Sequence, residues 1–381
     1  MILKQLIVKN FRNYSHTELL LNSNINIFFG NNAQGKTNLL ESIYFLSFTK
    51  SHRSFIDNSL IKKDENMLKI TGILKNKEIF DTKLEITLEK DKKNIYVDGD
   101  IYKKVSDYIT KMNIIIFYPE DLDIIKGSPN IRRRYLNSEI SQYDNNYLLE
   151  LNKFRKIQKM RNDYLKKINS INNYDKQYFS IINDYFLNSS TNIYLSRNDF
   201  IFEINKIVEN IFYDLTGLNG FQVKYKNSLG IDNFNDYSKD EIKEKFSEKL
   251  DHSFESDLRV GSSLIGPHKD ELEFFLNDLN LKFYGSQGQQ RLAILSIKLA
   301  ELEILKKYKS DTPILLLDDL FSELDDEKKN RLLKYINQDI QTIITTTDLK
   351  SIDQSIIDKS KLFEIENGNI KSVMEVEEYG K

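Results

Sequence analysis

The sequence predicts an α/β fold: a lobe built on a parallel sheet, residues 1–120 and 256–381, split by a mostly α-helical insertion over residues 121–255. Three observations predict it. First, the apolar run Ile25, Ile27, Phe28, Phe29 leads into Gly30-Asn31-Asn32-Ala33-Gln34-Gly35-Lys36-Thr37, which matches G-x-x-x-x-G-K-[ST] without deviation and precedes a helix pattern. Second, the unbroken apolar run Ile314 to Leu317 reads as a buried parallel strand and ends in Asp318-Asp319. Third, Ser286-Gln287-Gly288-Gln289-Gln290 lies between these two at the head of a leucine-striped helix. A phosphate loop, then this serine-glutamine-glycine segment, then paired carboxylates is the order of an ATP-binding-cassette (ABC-type) ATPase lobe. No other phosphate-loop fold combines them so.

Taken in order, the alternation from Ile2 to Val8 predicts the first strand, followed by Phe11-Arg12-Asn13-Tyr14 and the strand feeding the loop. The helix starting at Lys36 carries Leu39, Leu40, Ile43, Tyr44 and Phe45 on its buried side, and Lys50-Ser51-His52-Arg53 follows it. Strands are predicted at Met67 to Leu74, Ile79 to Leu88 and Ile95 to Val97, with a turn at Asp98-Gly99-Asp100. Ile114 to Tyr118 closes the first half at Pro119.

Gly127-Ser128-Pro129 opens the insertion, headed by Arg132-Arg133-Arg134. Leu151, Phe154, Ile157, Met160, Tyr164 and Ile168 form a helix stripe, Asn169 to Asn173 a turn, and Lys176 to Leu215 a second helical region. Two helices of roughly 25 to 35 residues make an arm of about 40 to 50 Å, far short of the coiled coils of chromosome-structuring ATPases. The lobe is expected to resume near Leu258, with strands at Ser262 to Ile265 and Leu272 to Phe275 and a turn at Asn277-Asp278. Ser286 then suits an N-cap ahead of the stripe Leu292, Leu295, Leu299, Leu302, Leu305. A last αβ unit ends in Ile343 to Asp348.

Composition narrows the class. The chain has 381 residues, a net charge of −2, no cysteine and four scattered histidines, His16, His52, His252 and His268. Disulfides and thiolate metal sites are excluded, and a cytoplasmic, soluble protein without a membrane partner is expected. The near-neutral charge denies it a global positive field, so any nucleic-acid contact must come from local patches.

The motifs carry a definite chemistry. Gly30 and Gly35 let the loop curl so that its N–H groups face a triphosphate, Asn31, Asn32, Ala33 and Gln34 line it, and Lys36 reaches the β- and γ-phosphates of ATP. Thr37 and Asp318 are the expected Mg2+ partners, and Asp319 is the candidate to orient or deprotonate the attacking water. Asp is one methylene shorter than the usual Glu, which predicts a slow hydrolase. Ser286, Gly288 and Gln289 lie on the opposite side of such a lobe from its own loop, so they are expected to meet the γ-phosphate held by a second copy, with Ser322-Glu323-Leu324-Asp325 across the same interface. Glu120 stands where cassettes carry a Gln, and Thr347-Asp348 where they carry a His.

These residues resemble the RecF family across nearly the whole chain. Matching blocks are Leu3 to Tyr14, Gly30 to Asn38, Lys50 to Arg53, Pro119 to Leu122, Lys126 to Pro129 with Arg132 to Arg134, Gly266-Pro267-His268, Ser286 to Arg291, Leu316 to Asp325 and Thr345 to Leu349. Lys269 and Glu271 depart from the family's usual Arg and Asp. The resemblance implies an ABC-type (Rad50/SMC-like) head and a weak DNA-dependent ATPase that dimerises with ATP on gapped DNA, near single-strand/double-strand junctions. It further implies RecR and RecO as partners, help in loading RecA, and roles in replication, recombinational repair and the SOS response.

For DNA, the expected contacts are Arg12, Lys50, His52 and Arg53, together with Lys153, Arg155, Lys156, Lys159 and Arg161, since Lys153 to Lys167 holds seven basic residues against one acidic. A solvated helix face is the other reading of that run. Three competing functions are a transporter ATPase subunit, an architectural chromosome protein and a small-molecule phosphotransferase. The first lacks its His after Ile343, the second its long heptads, and the third leaves Ser286 to Gln290 unexplained. For a nuclease, no additional acidic cluster is visible to hold a metal pair.

Overall fold

A computed structural model describes residues 1–54, 56–75, 80–90, 92–171, 174–309, 311–336 and 339–375. The strand start at Ile79 and the end of the turn Asn169 to Asn173 lie outside these residues. The strands are β1 (Ile2–Phe11), β2 (Tyr14–Leu20), β3 (Ile25–Phe29), β4 (Met67–Lys75), β5 (Thr82–Glu89), β6 (Lys92–Val97), β7 (Asp100–Ile101), β8 (Ile114–Phe117), β9 (Phe221–Lys226), β10 (Glu271–Leu276), β11 (Leu279–Asn280), β12 (Ile314–Asp318), β13 (Thr342–Thr346), β14 (Ser360–Glu366) and β15 (Asn369–Glu375). Two compact units result: residues 1–121, 214–216 and 297–381, and residues 122–213 and 217–296. The later cut falls inside the helix Gln287–Tyr308, where the sequence reading set it near 256.

The first unit holds two six-stranded sheets. One is antiparallel in the order β2-β1-β4-β5-β6-β7; the other runs β15-β14-β3-β13-β12-β8, with all but β15 parallel. Alternation marks the first sheet: Leu84, Ile86 and Leu88 of β5 are buried while their neighbours are partly exposed. Unbroken burial marks the parallel strands β8, β12 and β13. The helix Lys36–Phe48 packs against both sheets, and Leu39, Leu40, Ile43, Phe45 and Leu46 join their side chains into one core. Where β1 shifts register, the buried amide of Gln341 stands in for a strand partner. It accepts from Leu3 N at 2.7 Å and donates to Leu3 O at 2.9 Å and Asn22 O at 2.7 Å. β14 and β15 form a hairpin, in which Leu362, Phe363 and Ile365 are buried.

The second unit combines the helices Pro129–Tyr143, Asn145–Ile171, Lys176–Thr216 (up to Tyr213) and Lys239–Val260 with a small antiparallel sheet, β11-β10-β9. Two of these helices have 27 and 41 residues, roughly 40 and 60 Å of rise. Ser262 to Ile265 is a loop and not the expected strand, because side chains take its backbone donors: Ser263 N bonds Asn162 Oδ1 and Leu264 N bonds Asp257 Oδ1. Buried ion pairs fasten the unit. Arg161 donates to Asp257 at 2.7 Å, to Ser263 and to Asn183, while Arg197 donates to Asp270 at 2.9 Å, to Pro267 O and to Asn137.

Candidate nucleotide site and signature helix

β3 leaves the parallel sheet at Phe29 and the loop Gly30 to Gly35 turns into the helix Lys36–Phe48. Gly30 is required by contact as well as by its φ of 146°: a Cβ there would stand 2.4 Å from Ile365 O. Gly35 caps the helix with no side-chain acceptor, so the first N–H groups remain for an anion. Lys36, nearly buried, folds back over the loop and donates to Gly30 O at 2.7 Å and Asn31 O at 2.8 Å. Burial pulls its ammonium below the ordinary lysine value, against the upward pull of Asp319 and Asp318.

The carboxylates arrive from β12. Asp318 is buried and accepts from Thr37 Oγ1 at 2.9 Å and from Thr345 Oγ1, on β13, at 2.6 Å. Burial pushes its carboxyl up, and the two hydroxyls oppose that. Asp319 sits at φ 51°, its N–H tied to Thr345 Oγ1 at 3.0 Å, and its buried Oδ1 has no hydrogen-bond partner among the described residues. Thr37 and Asp318 thus offer adjacent hard oxygen donors of the kind Mg2+ takes beside water and phosphate, with an unengaged carboxylate oxygen next in the chain. These donors fit the ion. Thr345, whose hydroxyl holds the Asp318 carboxylate and the Asp319 backbone, was missed as a site residue; the hydroxyl-rich run Thr345-Thr346-Thr347 at a strand end was the available signal.

Ser286 to Gln289 lies in the second unit, at the start of the helix Gln287–Tyr308. Ser286 N donates to Gln289 Oε1 at 2.9 Å and Gln289 N to Ser286 Oγ at 3.2 Å, a reciprocal capping box. A Cβ on Gly288 would meet nothing within 4 Å, so nothing inside the described fold demands this glycine. Ser286 and Gly288 are exposed, and Phe283 and Tyr284 just before them are 73% and 70% exposed.

The residues proposed for DNA divide sharply. Arg12 donates through Nε and Nη2 to Glu41 at 2.9 and 2.7 Å, and Ser51 also donates to Glu41. Burial pushes the Glu41 carboxyl up, but the bonds from Arg12 and Ser51 bring it net below the ordinary value. His52 lies between the rings of Tyr44 and Tyr118, centroids 4.8 and 4.6 Å away, with neither ring nitrogen hydrogen-bonded, and burial pulls its pKa down to about 4. It is therefore neutral at physiological pH. Lys50 and Arg53 are exposed, Arg53 donating to Asn38 at 3.1 Å and pairing with Glu41 at 3.7 Å. In the second unit Lys153, Arg155, Lys156 and Lys159 are exposed while Arg161 is sealed in its ion pair. Arg132 is likewise buried, paired with Glu271, and Arg133 donates to Asp270 O.

With this geometry in hand, comparison with known proteins is direct. Residues 2–371 match the family described as RecF/RecN/SMC N terminal domain. The DNA replication and repair protein RecF of Ligilactobacillus salivarius is 38% identical over 97% of both chains. A solved structure of the recombination mediator protein RecF-ATP in the RecFOR pathway is 31% identical and superimposes with a TM-score of 0.90 over 98% of this chain and 97% of that one. An Smc head domain of Pyrococcus furiosus, 16% identical, superimposes with a TM-score of 0.56 and shares the fold. Among the described residues no helix is long and apolar enough to cross a membrane.

Proposed function

Because this chain belongs to the RecF family of DNA replication and repair proteins, with an ABC-type ATPase fold, we propose that it is an ATP-dependent DNA-binding protein whose two copies pair head to tail around ATP on gapped DNA. One observation carries the reading: Thr37, at the end of the phosphate loop, is hydrogen-bonded to Asp318, with Asp319 next in the chain. The end of the phosphate loop and the Asp318 carboxylate thus form one hydrogen-bonded assembly, and in this reading Asp319, directly next in the chain, is the hydrolytic residue.

In this reading Lys36 exchanges the carbonyls of Gly30 and Asn31 for phosphate oxygens. Thr37 and Asp318 hold Mg2+, which neutralises charge on the phosphates when bound. Asp319, its backbone fixed by Thr345, accepts a proton from the attacking water. Ser286, Gly288 and Gln289 of a second copy close the site, with the uncrowded Gly288 letting backbone approach the γ-phosphate. Hydrolysis is slow, DNA-stimulated and acts as the release switch. By family likeness and the RecFOR pathway named for its relative, we extend the proposal to RecR and RecO as partners, to loading of RecA and to the SOS response, in the cytoplasm.

Molecular mass in solution, with Asp319→Asn to slow turnover, tests it. A monomer that becomes a dimer with ATP, more readily on gapped duplex, is expected, and Ser286→Arg abolishes the pairing. A mass indifferent to ATP refutes the composite site.

A further inference from the structure

We propose that the turn joining β14 to β15 is a latch on the phosphate loop, making Asn367 and Gly368 positioning residues for nucleotide binding; the inference rests on the ATP reading above. Gln34, at the crest of the loop, is gripped from outside. Its side-chain Oε1 accepts from Asn367 N at 2.7 Å, and its backbone carbonyl accepts from Gly368 N at 2.9 Å and from Asn13 Nδ2 at 3.1 Å. Asn13 in turn accepts from Asn38 Nδ2 at 2.8 Å, tying the grip to the first turn of the following helix.

The turn is shaped for this contact. Asn367 and Gly368 have φ of 51° and 72°, and a Cβ on Gly368 would lie 2.7 Å from Asn13 O. A side chain there must push the turn off the loop. β14 itself pairs with β3, Glu364 opposite Phe29, so the hairpin leaves the sheet at the point where the loop begins.

The latch answers an energetic problem. The loop holds Ala33 at φ 63° and Gly35 at φ 114°, conformations that a free segment leaves readily. Loop residues ordered before the ligand arrives spare it that entropic cost. The hairpin therefore sets nucleotide affinity and leaves the chemical step alone, because among the described residues the turn's bonds to the loop go to Gln34, while Thr37 Oγ1 bonds Asp318 and Thr345 holds Asp318 and Asp319 N.

Hydrogen–deuterium exchange of the nucleotide-free full chain, combined with steady-state ATPase measurement, tests the proposal on Gly368→Ala and Gln34→Ala, with Val373→Ala, half-exposed on β15, as the hairpin control. Expected are exchange over residues 30–38 about three- to tenfold faster in both test variants and, for Gly368→Ala, an ATP KM raised by a similar factor with kcat within about twofold. Val373→Ala changes neither. Should Gly368→Ala fail to fold, the exchange of nucleotide-free Gln34→Ala carries the test, since it removes the acceptor of Asn367 N and besides it, among the described residues, only a 3.4 Å bond to Asn32 O, without adding bulk. Unchanged exchange over the loop, or a fall in kcat at constant KM, overturns the latch. A wild-type chain that binds no ATP overturns the nucleotide reading instead, and the exchange comparison still decides whether the turn orders the loop.

Discussion

His52 and His268 control how the fold meets acid. Burial pulls both imidazoles down to about 4 from the ordinary 6.5. Below pH 6.5 the unfolded chain takes up protons that the folded chain refuses until about pH 4, so stability falls as pH drops through that window. With both groups counted the slope reaches about 2 kcal/mol per pH unit at its steepest. Urea midpoints measured across the window should fall with acidification, and His52→Phe, which keeps a ring between Tyr44 and Tyr118, should lessen the fall. A titration placing His52 near 6.5 would sink this argument. The same burial explains a limit of sequence reading at this scale. Lys50-Ser51-His52-Arg53 announces a basic cluster, but whether each charge is spent depends on Glu41, Tyr44 and Tyr118, and no spacing rule reports that a histidine ring will be slotted between two tyrosines.

Elements with a strong period were legible, and those held by side chains were not. Apolar runs and the phosphate-loop motif located β3, β12 and the helix Lys36–Phe48, and Ser286 announced a capped helix start. Ser262 to Ile265 misled because strand-like residues there are bonded by Asn162 and Asp257, partners on two separate helices. The helix Asn145–Ile171 shows both outcomes in one element: its apolar stripe was legible at Leu151, Phe154 and Ile168, but Met160 is half-exposed and Leu165 is buried in its stead, and its charges serve opposite ends. Arg161 is locked to Asp257, whereas Lys156 and Lys159 face solvent. Replacing Arg161 by Met leaves a buried carboxylate without its cation and should cost about 3–5 kcal/mol in chemical denaturation. Lys159→Met should stay within about 0.5 kcal/mol of wild type. Equal effects would mean that the ion pair does not fasten the unit.

At the scale of the whole molecule, a chain with a net charge of −2 can hold DNA only through local patches. Lys50 and Arg53 in one unit, and Lys156 and Lys159 in the other, are the exposed candidates, now that Arg12, His52 and Arg161 have structural employment. Reversing Lys156 and Lys159 to Glu should weaken binding to gapped duplex and reduce the slope of log affinity against log salt by up to about 2. Unaltered affinity would remove this helix from the DNA surface.

The strand order of the parallel sheet also bears on how the protein is made. β3, which carries the phosphate loop, has β13 and β14 as its neighbours, residues 342–346 and 360–366, whereas the second unit is complete by residue 296. On the ribosome the helical unit can close while the strand that will carry the nucleotide site still waits with both edges bare. Synthesis halted before residue 342 would therefore release a chain with a finished helical unit and an unpaired, aggregation-prone strand, material for proteases and not a rival for ATP.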